Sequence, residues 1–197
     1  PSCSNTQARL KYMDAEGIWA QIVYPNVLGF GGQKSMNIDP DIRSLCVTIY
    51  NDYLAQMQEE SNQRLFGMAL LPWWDIKATV KEIERCAKMG LKGVNTNSDP
   101  HRNGLPDLGD PHWDPLWEIC SDLSLPINFH IGASDDTMSW FGDSPWPTLP
   151  AGGKLALGSA MMYISNAKVL GNIIYSGLLD RYPKLKFVSV ESGIGWI

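Results

Sequence analysis

The chain has 197 residues, of which 44% are hydrophobic and 19% charged, a composition typical of a single globular domain. Its net charge of -5, with no cluster of Lys and Arg among aromatic residues, argues against a nucleic-acid partner. No apolar run approaches the roughly 20 residues that span a bilayer, and the N-terminus lacks a signal-peptide pattern. We therefore expect a cytoplasmic protein with no membrane partner.

The two ends of the sequence are unusual. The chain begins at Pro1 rather than Met, and it stops at Ile197, a few residues after a predicted strand. We expect residues 1–197 to form a single domain that is the central part of a longer barrel protein.

Predicted strands and helices alternate along the chain. Helices are predicted over 6–16, from Pro40 to about Met57, and over 75–89, 114–123 and 157–179. The second of these shows the clearest helical periodicity. Its predicted core stripe consists of Ile42, Leu45, Cys46, Ile49, Tyr50, Tyr53 and Met57. The five strands are predicted over 18–24, 65–71, 93–97, 126–131 and 186–191.

Such alternation indicates an α/β fold with parallel strands. Long loops follow three of the strands, at 25–39, 98–112 and 135–154, whereas the connections from helices back to strands are short. This asymmetry predicts a working face at the carboxyl ends of the strands, as in a (β/α)8 (TIM) barrel or an open α/β sheet.

One histidine lies at the carboxyl end of a predicted strand. Ile127, Phe129 and Ile131 share one face of that strand, and Asn128 and His130 share the other. A lone histidine of this kind is either a core residue or a metal ligand. Glu191 ends the next strand in the same manner, and it could be a metal ligand, a general base or a group that orients the site.

Further polar and aromatic residues are expected at the same face. A substrate-binding role is predicted for Trp73, Trp74, Asn95, Asn97 and Arg102, with Asn26 and Trp140 as additional loop residues. No nucleophile elbow, phosphate-binding loop or dinucleotide fingerprint is present. The run Gly29-Phe30-Gly31-Gly32 is interpreted only as a loop signal.

Motifs along nearly the whole chain resemble those of amidohydrolase-related proteins, in the branch that contains aminocarboxymuconate semialdehyde decarboxylase. The motifs are Met13-Asp14-Ala15-Glu16-Gly17-Ile18, Val23-Tyr24-Pro25, Arg64-Leu65-Phe66-Gly67, Leu71-Pro72, Glu82-Ile83-Glu84-Arg85-Cys86, Lys92-Gly93-Val94, Asp114-Pro115-Leu116-Trp117, Phe129-His130-Ile131-Gly132 and Leu179-Asp180-Arg181-Tyr182-Pro183-Lys184-Leu185-Lys186. The resemblance implies a (β/α)8 barrel with a divalent metal ion, usually zinc, at the carboxyl ends of the strands.

The resemblance also assigns positions. His130 matches the fifth-strand metal ligand, so this chain would cover about strands two to six. The first-strand H-x-H pair has no counterpart here, and the late aspartate ligand would lie beyond Ile197. Where the decarboxylases carry a catalytic sixth-strand histidine, this chain has Glu191, a departure that leaves its acid–base role open.

Three hypotheses follow. The leading one is a metal-dependent hydrolase or carboxy-lyase that acts on a small cyclic or carboxylate substrate and could form a homo-oligomer. The second is a catalytically incomplete barrel segment that serves as a binding or assembly scaffold. The third is an open five-stranded α/β domain that binds an unrelated ligand.

Overall fold

The structure is a computed structural model that describes residues 5–139 and 144–194, with only the backbone of residues 137 and 138. Trp140, one of the predicted loop residues, lies outside the described residues. The helices are α1 (Thr6–Ala15), α2 (Arg43–Glu60), α3 (Ile76–Lys88), α4 (Asp114–Asp122), α5 (Asp135–Met138), α6 (Ala151–Tyr175) and α7 (Leu178–Arg181). The strands are β1 (Gln21–Val23), β2 (Leu65–Gly67), β3 (Ala69–Leu70), β4 (Val94–Asn95), β5 (Ile127–His130) and β6 (Phe187–Val190).

The strands are parallel and follow one another in chain order. β1 pairs with β2, and a second sheet runs β3-β4-β5-β6. Only Met68 separates β2 from β3; its N–H donates to Val23 O at 2.9 Å, while the N–H of Ala69 donates to Gly93 O at 3.0 Å. The stretch 65–70 therefore joins the two sheets, and the predictions of an α/β fold and five parallel strand regions are confirmed.

Alternation along β5 places apolar and polar side chains on opposite faces. Ile127 and Phe129 are fully buried in the hydrophobic core, where Phe129 stacks on Phe187 at 6.1 Å. On the other face, Tyr24 contacts both Asn128 and His130. The predicted division of this strand is thus confirmed.

The predicted core stripe of α2 is wrong in most of its members. Ile42, Leu45, Ile49 and Tyr53 are each about half exposed. The buried face consists of Val47, Asn51, Leu54, Met57 and Gln58. Asn51 explains why this face, and not the predicted one, is buried. Its side chain accepts a hydrogen bond from Leu70 N at 2.9 Å and donates one to Leu70 O at 2.8 Å. A polar residue that bonds the backbone of β3 thus occupies the packing face, where hydropathy predicts an apolar one.

The predicted helix over 157–179 is two helices. α6 begins earlier than predicted, at Ala151, and ends at Tyr175, and α7 follows after Gly177. Gly177 has a φ of 71°, in the left-handed region that glycine adopts without strain. Within the described parts of the chain, no helix combines the length and the hydropathy that a bilayer span requires.

Candidate functional site

His130, the last residue of β5, is held on several sides. Its side chain is 5% exposed. The Phe30 ring stacks on the imidazole at 4.2 Å with an interplanar angle of 13°, and the Tyr24 ring meets it edge-on at 5.4 Å. The imidazole therefore lies between aromatic rings rather than among aliphatic core residues.

The hydrogen bonds of the imidazole determine which nitrogen carries a proton. Nδ1 of His130 lies 2.7 Å from the carbonyl oxygen of Ile131, and a carbonyl can only accept, so Nδ1 is the donor. In the neutral ring, Nε2 then has a free lone pair. This is the tautomer that a metal-ligating histidine adopts when its other nitrogen is held by a carbonyl.

Nε2 of His130 faces a carboxylate. The distance from Nε2 to Oε2 of Glu191 is 3.3 Å. Two lone pairs at this distance repel each other unless a proton or a cation lies between them or beside them. The contact therefore fits either a proton shared by the two groups or a cation held on Nε2 with the carboxyl group of Glu191 beside it.

Glu191 differs from His130 in exposure and in backbone conformation. Its side chain is 71% exposed. Its φ of 55° lies in the left-handed region, which is uncommon for a residue with a Cβ and costs free energy. This conformation immediately follows β6, whose Val190 pairs with His130. The turn therefore keeps the carboxylate beside the end of β5.

The donor set for a metal ion is small in the part of the chain that the structure describes. No group of three or more His, Cys, Asp or Glu side chains converges among residues 5–139 and 144–194. An imidazole and a carboxylate suit Zn²⁺ and other divalent transition metals. His130 thus fits one ligand position of such a site, and further ligands would have to come from outside the described residues or from substrate and water.

The loop between β1 and α2 covers the end of β5. A Cβ on Gly31 would lie 2.0 Å from the carbonyl oxygen of Ala133, so only glycine permits this approach. The side-chain amide of Gln33 accepts from Gly31 N at 3.0 Å and donates to Gly132 O at 2.9 Å. Sequence reasoning missed the role of Phe30 and Gln33; the clustered glycines were the one available signal.

Tyr24 connects this loop to β5 as well. Its hydroxyl donates to Oδ1 of Asn128 at 3.2 Å, and the amide of Asn128 donates to Val94 O at 2.8 Å. Burial raises the pKa of Tyr24 above its ordinary value of 10.0. The hydroxyl therefore stays protonated, as a donor, at neutral pH.

The two predicted asparagines are buried at the end of β4. Asn95 is 0% exposed and donates through Nδ2 to the carbonyl oxygen of Phe30, so it supports the loop that covers His130. Asn97 is 1% exposed and accepts from Asp99 N at 2.8 Å. Within the described structure, Oδ1 of Asn95 and Nδ2 of Asn97 have no hydrogen-bond partner. Their predicted role in substrate binding stays a prediction.

The other predicted substrate-binding residues do not contact His130 through any described ring or hydrogen bond. Trp73 is 1% exposed and lies beneath the loop at Gly32. Trp74 donates to Oγ of Ser44 at 3.2 Å, and the Arg43 guanidinium lies 4.9 Å from its ring centroid. Contacts with substrate stay predictions for both rings.

Arg102 lies on the 3₁₀ helix Pro100–Asn103, whose first residue is buried and whose other residues are exposed. Its side chain is 61% exposed and forms an ion pair with Asp136 at 3.1 Å. An exposed ion pair of this kind contributes little to stability. Arg102 is thus accessible, and its predicted role as a carboxylate-binding residue stays a prediction.

A hollow of about 320 Å³ adjoins the carboxylate. It is lined by Ile131, Ser159, Met162, Tyr163 and Glu191. A small molecule in this hollow would lie next to Glu191, whose carboxylate contacts His130. The structure therefore brings His130 and Glu191 into contact, and of the two only Glu191 lines the hollow.

Comparison with known proteins finds a family match and similar decarboxylases. A sequence model of the Amidohydrolase family matches residues 10–197. The chain is 24% identical over 200 residues to a 2-amino-3-carboxymuconate-6-semialdehyde decarboxylase of Dictyostelium discoideum, covering 98% of this chain and 49% of that protein. It is 29% identical over 164 residues to a gamma-resorcylate decarboxylase of a Polaromonas species, covering 74% of this chain and 44% of that protein.

Solved structures with a similar fold include an amidohydrolase and a decarboxylase. The 5-carboxyvanillate decarboxylase of Novosphingobium aromaticivorans, complexed with manganese and a nitrobenzoic acid, superposes with a TM-score of 0.71 at 27% identity, over 92% of this chain and 47% of that one. An amidohydrolase from Mycobacterium avium subsp. paratuberculosis superposes with a TM-score of 0.75 at 23% identity, over 100% of this chain and 50% of that one. The chain thus spans about half the length of the proteins that it matches.

Proposed function

The chain belongs to the amidohydrolase family, and from this premise we propose that it forms part of a metal-dependent carboxy-lyase. The reaction is the non-oxidative decarboxylation of a small cyclic or unsaturated carboxylate. The observation that carries the proposal is the 3.3 Å contact between Nε2 of His130 and Oε2 of Glu191, in which the Ile131 carbonyl fixes the imidazole tautomer. The named relatives that act by decarboxylation favour this reaction over hydrolysis.

In the proposed site, Nε2 of His130 would hold the metal ion, because Nδ1 is engaged by the carbonyl oxygen of Ile131. A divalent cation there would supply positive charge that binds and polarises the oxygens of the substrate. Zinc suits an imidazole ligand, whereas the related 5-carboxyvanillate decarboxylase structure contains manganese. Both cations therefore belong in the test.

Glu191 is proposed to transfer the proton. In a decarboxylation, the bond between the substrate carbon and its carboxylate breaks, CO₂ leaves, and the carbon that keeps the electron pair takes one proton. Glu191 in its protonated form would donate that proton and then regain one from water. Its exposed side chain, beside the hollow that Tyr163 also lines, supports such exchange with solvent.

We also propose that the five strand regions are the second to sixth strands of a (β/α)8 barrel. Their order follows the chain without the reversal that an open doubly wound sheet shows. Among the described residues, the outer strands β1 and β6 each pair with a neighbour along one edge only, so the other edge is open to a further strand. In the full-length protein, the amides of these two strands should then be protected from hydrogen exchange.

The functional proposal is tested on the full-length protein with Zn²⁺ or Mn²⁺ added after chelation. The substrates are gamma-resorcylate and 5-carboxyvanillate, the acids named in the relatives, and the readout is released CO₂. The expected result is CO₂ release that disappears with chelator and returns with metal. Release that is insensitive to both the chelator and Glu191→Gln would overturn the proposal.

A further inference from the structure

The segment 29–33 contacts the metal-binding histidine of the proposed function and the turn that follows it. Phe30 covers one face of the His130 ring. Asn95 donates to the carbonyl oxygen of Phe30, which fixes the backbone that bears the ring. The segment is therefore attached to β4 as well as stacked on the imidazole.

Gly31 sets how closely the segment approaches the strands. The position of its missing Cβ is 2.0 Å from Ala133 O and 2.8 Å from Thr96 O, both of them backbone atoms. Backbone cannot move aside as a flexible side chain can. The segment is thus seated against the ends of β4 and β5.

Gln33 fastens the segment to the end of β5. Its amide oxygen accepts from Gly31 N, and its amide nitrogen donates to Gly132 O, 99 residues away in the sequence. Gln33 is 5% exposed, so these bonds are shielded from water and their loss would leave buried backbone groups unpaired. The Gly132 carbonyl lies two residues after His130. The bond from Gln33 therefore holds the same turn that carries Ile131 O, the acceptor for Nδ1 of His130.

We propose that Gln33 and Phe30 are positioning residues that hold the His130 imidazole in its metal-binding orientation. This inference rests on the proposed function, in which Nε2 of His130 binds the metal ion. Gln33 acts through the backbone turn and Phe30 acts through stacking, and neither needs to touch substrate.

The experiment measures cation affinity in the full-length protein by calorimetry with Zn²⁺ alone, for wild type and for Gln33→Ala, Phe30→Leu and Gln58→Ala. Gln58 is the matched control, because it is 2% exposed and donates to Gly90 O at 2.9 Å in a different part of the fold. Supporting groups around a metal ligand typically contribute about 10–100-fold to affinity. We expect Gln33→Ala and Phe30→Leu to raise the Kd by about tenfold and Gln58→Ala to leave it within about twofold.

Two further readouts separate positioning from general destabilisation. The absorption bands of the Co²⁺-loaded protein report ligand geometry and should change in Gln33→Ala but not in Gln58→Ala. In the metal-free protein, the ring protons of His130 should lose their upfield NMR shift in Phe30→Leu, because that shift comes from the stacked aromatic ring.

The outcomes distinguish the two proposals. If His130→Ala binds Zn²⁺ as tightly as wild type, the proposed function fails. If His130→Ala loses binding but Gln33→Ala and Gln58→Ala behave alike in Kd and in the Co²⁺ spectrum, only the positioning inference fails.

Discussion

Two regions of the molecule reverse the usual pattern of burial. At the carboxyl ends of the strands, polar residues are buried; on the outer face of α2, apolar residues are exposed. The buried polar set is Asn95, Asn97, Asn128 and His130, and the exposed apolar set is Ile42, Leu45, Ile49 and Tyr53. The sheet β3-β4-β5-β6 contributes to both regions, because α2 bonds to Leu70 of β3 and His130 ends β5.

The difference between them lies in their contacts. Each residue of the buried polar set has at least one specific partner, such as Ile131 O for His130 and Val94 O for Asn128. Burying a polar group costs free energy unless it is hydrogen-bonded, so a fold retains such groups where their bonds or their chemistry require it. Exposed apolar side chains cost little one by one. Substitutions should therefore change binding and activity at the strand ends and change little on the α2 face.

The largest effect is expected for His130→Ala in the full-length protein. Without the proposed ligand, the metal ion would no longer stabilise the transition state by several kcal/mol. This corresponds to a decrease in decarboxylation rate on the order of a thousandfold. Bound metal, measured by elemental analysis after dialysis, should fall in parallel. The control is His112→Ala, a histidine whose ring packs edge-on against Trp113 at 4.8 Å. Equal metal content in His130→Ala and wild type would remove His130 from the site.

Glu191→Gln should have the next largest effect. An amide keeps the shape of the side chain but cannot donate the proton that the reaction requires, so we expect about a hundredfold lower rate. Glu118→Gln, an exposed glutamate on α4, is the matched control. An unchanged rate with normal metal content would contradict the proton-transfer role of Glu191.

The sequence predicted the strand ends better than the helix faces, for a physical reason. In a strand, side chains alternate strictly, so the division between Phe129 and His130 could be derived from a run of six residues. A helix stripe depends on hydropathy, and hydropathy places Asn51 outside because it does not encode the bonds of Asn51 to Leu70.

The recognition of the family and of decarboxylase relatives is confirmed by the family match. The contacts of Phe30 and Gln33 with the end of β5 join residues about 100 positions apart, which local patterns cannot predict. The glycines around Phe30 indicated a loop, but its closeness to the strand ends follows only from the fold.

A smaller effect is expected for Tyr24→Phe, which removes one hydrogen bond to Asn128. The expected loss is about 0.5–1.5 kcal/mol in the free energy of unfolding. Because burial raises the pKa of Tyr24 above 10.0, its contribution should be complete below pH 10 and disappear as the pH rises through the raised value. Urea unfolding at pH 8 and pH 11 would measure this, with the exposed Tyr12→Phe as control. A difference between Tyr24→Phe and wild type that persists undiminished at the higher pH would contradict this account.

The smallest effect is expected on the α2 face. Leu45 is 56% exposed, so Leu45→Ser should change the free energy of unfolding by less than about 0.5 kcal/mol. Leu54, on the opposite face of the same helix, is 1% exposed and packs against Gly67, so Leu54→Ala should cost about 2–5 kcal/mol. Both variants are compared by urea unfolding. If Leu45→Ser lowered the free energy of unfolding by more than about 1 kcal/mol, the Leu45 side chain would be packed against another surface in solution. The α2 face would then not be an exposed apolar region, and its contrast with the strand ends would fail.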